Sequence, residues 1–329
     1  MGEFELIARY FQRPDLAQRY PQVQLGVGDD CALLQPPAGQ QLAISTDTLV
    51  SGVHFFADAP PRSLGHKALA VNLSDLAAMG AAPLGFTLAL TLPQVDEAWL
   101  AEFSAGLHAL ADKHACPLIG GDTTRGPLAI GITVLGSVPP SLALRRSGAQ
   151  LGDDIYIRGS AGDCIGQARA GLALRQGSLQ LPAADAAHAL QRLEMPTPRL
   201  DLGLALRGLA NSCMDVSDGL LGDLRHILRA SGVGAVLQAA SLWDMAAGRP
   251  VLPTVPAAQQ LDYICHGGDD YELLFTAPAA QADAVAQAAA QAGCSVQRIG
   301  CIVSAAAGLQ VQDAAGQALP MAATGFTHF

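Results

Sequence analysis

Lysine is scarce in this sequence. Only Lys67 and Lys113 occur among 329 residues, and the other fixed cations are arginines. Neither lysine follows a glycine, so the Gly-Lys-Ser/Thr step of a phosphate-binding P-loop is excluded. Charged residues make up 15% of the chain, and the net charge of −10 argues against a general nucleic-acid binder, which carries a basic face. An anionic substrate would need metal ions or a few local arginines to approach. The seven cysteines are odd in number and form no Cys-x-x-Cys pair, which argues against a disulfide framework or a structural zinc site. They read as small buried apolar residues in a reducing compartment. No apolar run is long enough to cross a bilayer. The N-terminus, with Glu3 and Glu5, lacks a basic-then-apolar signal pattern. The expectation is a cytoplasmic protein with no membrane partner.

What is present is ample core material, since half the residues are apolar. The length suggests about two domains. Leu6, Ile7, Tyr10 and Phe11 fall at helical spacing in an opening segment. Short strands are expected near 23–27, 31–34 and 41–45, the last running into Thr46-Asp47-Thr48. Helices are expected over 63–79 and 97–114, and strands over 86–92, 117–119 and 128–138. The proline-bearing stretch from Pro139 to Gly152 is a candidate boundary, giving domains 1–140 and 141–329. The second half repeats the α/β alternation, with strands near 154–158, 213–216 and 273–276 and helices near 164–175, 200–209, 219–231 and 279–292.

The aspartates sit beside these short apolar strands: Gly28-Asp29-Asp30, Thr46-Asp47, Gly121-Asp122 and Asp215-Val216-Ser217-Asp218. Asp75 adds a fifth position, on a helix. Singly, each reads as a turn or helix-cap residue. As a set they gather where α/β folds place ligand sites. Acids brought together repel unless a cation joins them, and oxygen donors without a His or Cys pattern suit magnesium. Several magnesium ions held by Asp30, Asp47, Asp75, Asp122 and Asp215 would align and neutralise a transferring phosphoryl group.

Other residues carry two readings each. The free N–H groups after Ser217-Asp218-Gly219 could receive a phosphate oxygen at a helix start. Arg146 is either a fixed cation for an ATP phosphate or a surface ion pair. His54 is either structural or a substrate contact. Asp269, Asp270 and Glu272 place three carboxylates in four positions and could grip a cationic or hydrogen-bonding ligand. The two phenylalanines of the tail Gly325-Phe326-Thr327-His328-Phe329 suggest docking onto a flat heterocycle.

Taken together, GVGDDCA (26–32), STDTLV (45–50), NLSDLAAMG (72–80), IGGDTTRG (119–126), RSGA (146–149), DVSDGL (215–220) and GGDDYEL (267–273) strongly resemble the thiamine-monophosphate kinase family. The motifs keep the family's order and extend from residue 3 to the C-terminus. The wider superfamily includes aminoimidazole ribonucleotide synthetase, selenophosphate synthetase and a hydrogenase-maturation protein.

The resemblance implies an α/β (α+β) fold of two domains. The N-terminal one is a mixed sheet with flanking helices that pairs with a second copy in a dimer barrel. The C-terminal one is an α/β sandwich completing the nucleotide and substrate site. The implied reaction is ATP-dependent phosphorylation of thiamine monophosphate to thiamine diphosphate, the last step of that cofactor's biosynthesis. Asp30, Ser45, Thr46, Asp47, Asp75, Asp122, Asp215 and Asp218 would then be magnesium ligands, with Asp47, Asp122 and Asp215 central to catalysis. Gly121, Asp122, Arg146 and Ser217 would contact ATP. His54, Asp269 and Phe326 would contact the thiamine substrate; relatives carry Glu at the second position and Tyr or Trp at the third.

Rival readings are weaker. A chain resembling selenophosphate synthetase would carry a reactive N-terminal Cys or selenocysteine near a Lys in a glycine-rich segment, whereas the first cysteine here is Cys31 and no lysine precedes Lys67. The hydrogenase-maturation relative ends in a reactive cysteine, whereas this chain ends in His328-Phe329. A non-catalytic nucleotide sensor would keep the binding acids and bind ATP without turnover.

Overall fold

The computed structural model describes residues 2–159, 165–244 and 255–321. The chain divides into two compact units. The first holds the residues up to Leu76 together with Ala81–Ser141, and the second holds Ala77–Gly80 and the chain from Leu142 onward.

The first unit runs α1 (Glu3–Tyr10), α2 (Leu16–Arg19), β1 (Val23–Leu25), β2 (Leu33–Leu34), β3 (Gln41–Val50), α3 (Pro61–Ala78), β4 (Ala82–Leu92), α4 (Glu97–Lys113), β5 (Leu118–Arg125) and β6 (Ala129–Val138). Four strands form a mixed sheet in the order β3-β6-β4-β5, parallel only between β4 and β5. Pro61 suits a first helical turn, where its missing N–H is not needed. Asp96 caps α4 by accepting from the N–H groups of Ala98 and Trp99 at 3.0 and 3.1 Å. The two long helices cross on glycine: a Cβ at Gly106 would meet the Arg62 carbonyl, and one at Gly65 the Phe103 carbonyl. α3 in turn lies on β6, with Leu76 against Gly136. Leu69, Leu73, Phe86, Leu90, Phe103, Leu107, Ile130 and Ile132 are fully buried between these layers.

The other face of this sheet is covered in part, where Ile119 and Leu135 pack with Leu16, Tyr20 and Val23, and is open along β3. Leu42 and Ile44 are 48% and 63% exposed, and Thr46 and Thr48 continue the same outward row. Strand alternation therefore sends Ser45, Asp47 and Leu49 toward α3 and their neighbours outward.

The second unit comprises β7 (Asp153–Arg158), α5 (Gln167–Arg175), α6 (Ala183–Glu194), α7 (Leu200–Ala205), β8 (Ser212–Asp215), α8 (Leu220–Ser231), β9 (Gly234–Gln238), α9 (Ala239–Asp244), α10 (Ala257–His266), β10 (Leu273–Pro278), α11 (Ala282–Gln291), β11 (Val296–Val303) and β12 (Leu309–Gln312). Its six strands lie in the order β12-β9-β11-β7-β10-β8, antiparallel except for β12 with β9. Ile155, Ile157, Leu274 and Ile299 of the sheet share one core with Leu220, Leu224 and Ile227 of α8.

Three differences from the sequence reading matter. β3 and β5 do not stop at their aspartates but run through them, because the threonines and small residues of Thr46-Asp47-Thr48 and Gly121-Asp122-Thr123-Thr124 keep the pleat. Helix α6, opening after Pro182, lies between the expected helices 164–175 and 200–209, where no element was expected. Strands β9, β11 and β12 also went unrecognised, since β11 mixes Gly300 and polar residues into its apolar alternation. Among the described residues, no helix is long and apolar enough to cross a membrane.

Candidate active site

In the first unit the acids fall into two groups. The first lies between β3 and α3. The Ser45 hydroxyl donates to Asp75 Oδ2 at 2.5 Å, and the Asp47 backbone N–H donates to Asn72 Oδ1 at 3.1 Å. Asn72 is itself buried and donates through Nδ2 to the Ala68 carbonyl at 3.0 Å. Burial pushes the Asp47 carboxyl up to about 6, and the neighbouring Asp75 charge adds to the shift. This is a desolvated acid facing a like charge.

The second group lies at the other edge of the sheet. Asp122 is exposed on β5, opposite Ala89 of β4. Asp30 is exposed in the loop between β1 and β2, and its neighbour-but-one Ala32 packs 4.0 Å from where a Cβ on Gly120 would stand. Asp29 has a local role: its Oδ1 accepts the Asp30 N–H at 2.8 Å. Gly121 is required by its geometry, since at φ 148° a Cβ would stand 1.9 Å from the Leu88 carbonyl. The strands β6 and β4 separate Asp47 from Asp122, which is three interstrand spacings, about 14 Å along the sheet. Between the groups, on the outward face, the hydroxyls of Thr46 and Thr133 are 2.8 Å apart. His54 lies in the turn after β3, where its Nδ1 accepts the Val50 N–H at 3.0 Å and so leaves the ring proton on Nε2.

In the second unit, Asp215 is buried at the end of β8, and the segment after it is laced to the 267–272 turn. Val216 N–H donates to the Glu272 carbonyl, Tyr271 N–H to that of Val216, and Asp269 N–H to that of Ser217, at 2.8–2.9 Å. Gly268 permits this approach, because a Cβ there would stand 2.4 Å from the Ser217 carbonyl. Asp269 and Tyr271 hold φ of 66° and 51°, a left-handed conformation costly for non-glycine residues. The Tyr271 hydroxyl donates to Asp269 Oδ1 at 3.3 Å.

The three carboxylates of this turn do different work. Glu272 is fully buried and accepts from Arg158 at 3.0 Å, Arg192 at 2.6 Å and Arg199 through two bonds of 2.7 Å. Asp270 is also fully buried and accepts the Gly166 N–H at 2.7 Å. Burial pushes its carboxyl up to about 7, against the pull of Arg192 and two backbone donors. Only Asp269 is partly exposed. The expectation that all three could grip a ligand is thus corrected: Glu272 and Asp270 are fully buried, the first paired with three arginines and the second bonded through Oδ2 while its Oδ1 has no hydrogen-bond partner among the described residues.

The segment before α8 is tied to the helix. Asp223 Oδ2 accepts the N–H groups of Ser217 and Asp218 at 3.0 and 3.1 Å. These two amides, which precede the first residue of the helix, Leu220, are engaged by a side chain. Asp223 was missed by the sequence reading, although an acid in the first turn of a helix is the residue to ask about. Burial pushes its carboxyl up to about 7, opposed by three backbone donors. The Arg146 loop is held from the far end of the same helix, where Ser231 Oγ accepts from Gly148 and Ala149 at 3.1 and 3.2 Å. Phe326 lies outside the described residues.

The free cysteines behave as expected of buried apolar residues at Cys116, Cys213 and Cys265, whose thiols burial pushes up, to about 12 at Cys265. Cys31 is exposed. Among the described residues, no three His, Cys, Asp or Glu side chains stand close enough to hold a metal ion together. The donor set at β3 and α3 nevertheless suits a hard cation: two carboxylates and a hydroxyl, all oxygen.

Comparison with known proteins agrees with this architecture. The family model of the AIR synthase related protein N-terminal domain matches residues 28–138, and that of the C-terminal domain matches residues 152–312. The chain therefore belongs to the AIR synthase related proteins, with both of their domains. Within that class it is a member of the thiamine-monophosphate kinase family. It is 49% identical to the thiamine-monophosphate kinase of Escherichia coli K12 over 331 aligned positions, covering 100% of this chain and 98% of the relative. The crystal structure of the Stenotrophomonas maltophilia thiamine-monophosphate kinase superposes with a TM-score of 0.84 at 44% identity, covering 97% and 98% of the two chains. A structure of AaThiL complexed with AMPPCP and TMP superposes with a TM-score of 0.73 at 27% identity, covering 100% and 97%.

Proposed function

We infer that the protein transfers the γ-phosphoryl group of ATP to thiamine monophosphate, giving thiamine diphosphate and ADP. An oxygen of the substrate phosphate bonds to the γ-phosphorus while the bond from that phosphorus to the β–γ bridging oxygen breaks, and the electron pair leaves on ADP. The attacking phosphate is already anionic, so no side chain need act as base.

The observation that carries this reading is the pair Asp47 and Asp75, held by Ser45 and Asn72 at a desolvated site where the charge of Asp75 pushes the Asp47 carboxyl up further. Magnesium bound there would neutralise phosphate charge and align the two reacting groups. In this reading Asp30, Ser45, Thr46, Asp47, Asp75 and Asp122 of the first unit hold magnesium, as do Asp215 and Asp218 of the second. Gly121, Asp122, Arg146 and Ser217 contact ATP, and His54, Asp269 and Phe326 contact the thiamine substrate. The exposed sheet face with Leu42 and Ile44 pairs with a second copy in a homodimer, and the enzyme works in the cytoplasm. The test is incubation of the folded protein with ATP, magnesium and thiamine monophosphate. Magnesium-dependent thiamine diphosphate is expected; tight ATP binding with no product would favour a nucleotide sensor instead.

A further inference from the structure

We propose that helix α8 is the bracket that positions both ATP-contacting loops, and that Asp223 and Ser231, one at each end, are its positioning residues. The inference rests on the assignment of Ser217 and Arg146 to ATP. At the first turn, Asp223 Oδ2 accepts from the backbone N–H groups of Ser217 and Asp218. At the last turn, Ser231 Oγ accepts from Gly148 and Ala149 and donates to the Arg146 carbonyl at 3.4 Å. These bonds fix main-chain atoms beside each contact residue, which is how a site on loops gains the precision of a helix.

The bracket is rigid. Leu220, Leu221, Leu224 and Ile227 are fully buried along its inner face, and the helix stops at Gly232 in the left-handed conformation. Both loops are pinned from a second side, that of Ser217 by the Asp269 N–H, which donates to its carbonyl at 2.9 Å. The Arg145 carbonyl accepts the Cys213 N–H at 2.7 Å, and Gly148 comes so near the Asn211 carbonyl that a Cβ would stand 2.4 Å from it. Midway along the exposed face, burial and the charges of Arg146 and Arg229 push the His226 imidazole down, opposed by Asp218. Asp223 and Ser231 touch no proposed ligand; their effect is on where Ser217 and Arg146 stand.

The test compares the magnesium-loaded full chain with four variants, reading the Kd of a non-hydrolysable ATP analogue by calorimetry, both KM values and the Tm. Ser231→Ala removes the three hydrogen bonds of Ser231 Oγ to this loop and should weaken the analogue and raise the KM for ATP roughly tenfold. The KM for thiamine monophosphate should stay within twofold, and Ser231→Thr should restore ATP binding. Asp223→Asn keeps an acceptor oxygen and should stay near wild type, whereas Asp223→Leu should lose analogue binding. If Asp223→Leu fails to fold, the Ser231 pair decides. Unchanged analogue affinity in Ser231→Ala, or equal losses for both substrates in step with a lower Tm, would overturn the proposal. Wild type that binds the analogue without making thiamine diphosphate would refute the kinase reading and leave the bracket measurable. Wild type that binds no analogue would refute both.

Discussion

The Ser45 hydroxyl donates to Asp75 across 2.5 Å, joining the middle of β3 to the fourth turn of α3. The bond holds Asp75 where its charge bears on Asp47, whose carboxyl sits at about 6 instead of its usual 3.8. A raised native value means that the folded chain keeps this proton longer than the unfolded one. Stability from this group is therefore present at low pH and lost as pH rises from about 4 through about 6. Asp47→Asn should remove that loss. Without metal at pH 8, the variant should melt about 2–4 °C above wild type, the shift given by about 1 kcal/mol after screening. At pH 4 the two should melt together. Magnesium should raise the wild-type Tm at pH 8 and leave the variant nearly unmoved, while turnover in the variant falls by orders of magnitude. A variant that melts lower than wild type at pH 8 would show that Asp47 is stabilising and not strained.

Gly268 separates the two laced segments of the second unit. Gly268→Ala would press a methyl group to 2.4 Å from the Ser217 carbonyl, a backbone atom that cannot swing away as a side-chain end does. The turn must then move off the 215–218 segment, carrying Asp269 with it. We expect at least a tenfold fall in kcat/KM for thiamine monophosphate, with a Tm loss of several degrees. Steady-state kinetics beside a melting curve checks this; wild-type kinetics would mean that the turn is not part of the site.

Glu272 anchors that turn from inside. Removing it leaves Arg158, Arg192 and Arg199 around an empty buried acid position. Breaking a buried ion network from one side costs about 3–5 kcal/mol. Glu272→Ala should lower the urea midpoint of the second unit accordingly. A change of less than about 1 kcal/mol would mean that the arginines find other partners at little cost.

How much of this was written locally in the sequence differs from residue to residue. The alternation of β3 and the helix of Asp75 were legible, because hydrophobic period and strand–helix order are local signals. That Asp75 would bear on Asp47 could be argued only from the chemistry of the set, because no local pattern links β3 to the fourth turn of α3. That Asp122 would stand at the far edge of the sheet was not legible, since strand order is set by long-range pairing. The same limit hid the partners of Glu272. Arg158, Arg192 and Arg199 come from a strand, a helix and a loop spread over 42 positions, and nothing near any of them signals burial. Asp223 was within reach: it follows Asp218 by five residues at a helix start, where a carboxylate and unpaired amides meet by geometry alone.

The outward row of β3 gives the last prediction. Leu42 and Ile44 are exposed beside Thr46, and among the described residues β3 is an edge strand of its sheet. An exposed apolar edge strand is a hazard unless another chain covers it. Ile44 points away from α3, on the opposite face from Ser45 and Asp47, so its replacement should not disturb their bonds. Wild type should sediment as a dimer at micromolar concentration, and Ile44→Lys should shift it to monomer. The variant should keep the magnesium-induced rise in Tm that reports on Asp47 and Asp75. If its turnover nevertheless collapses and recovers on raising protein concentration, the second copy completes the active site. If the monomer turns over at the wild-type rate, each chain is a whole enzyme and dimerisation serves stability alone. A wild type that is monomeric at 100 µM would remove the dimer from the account, and the exposed row would then need another occupant.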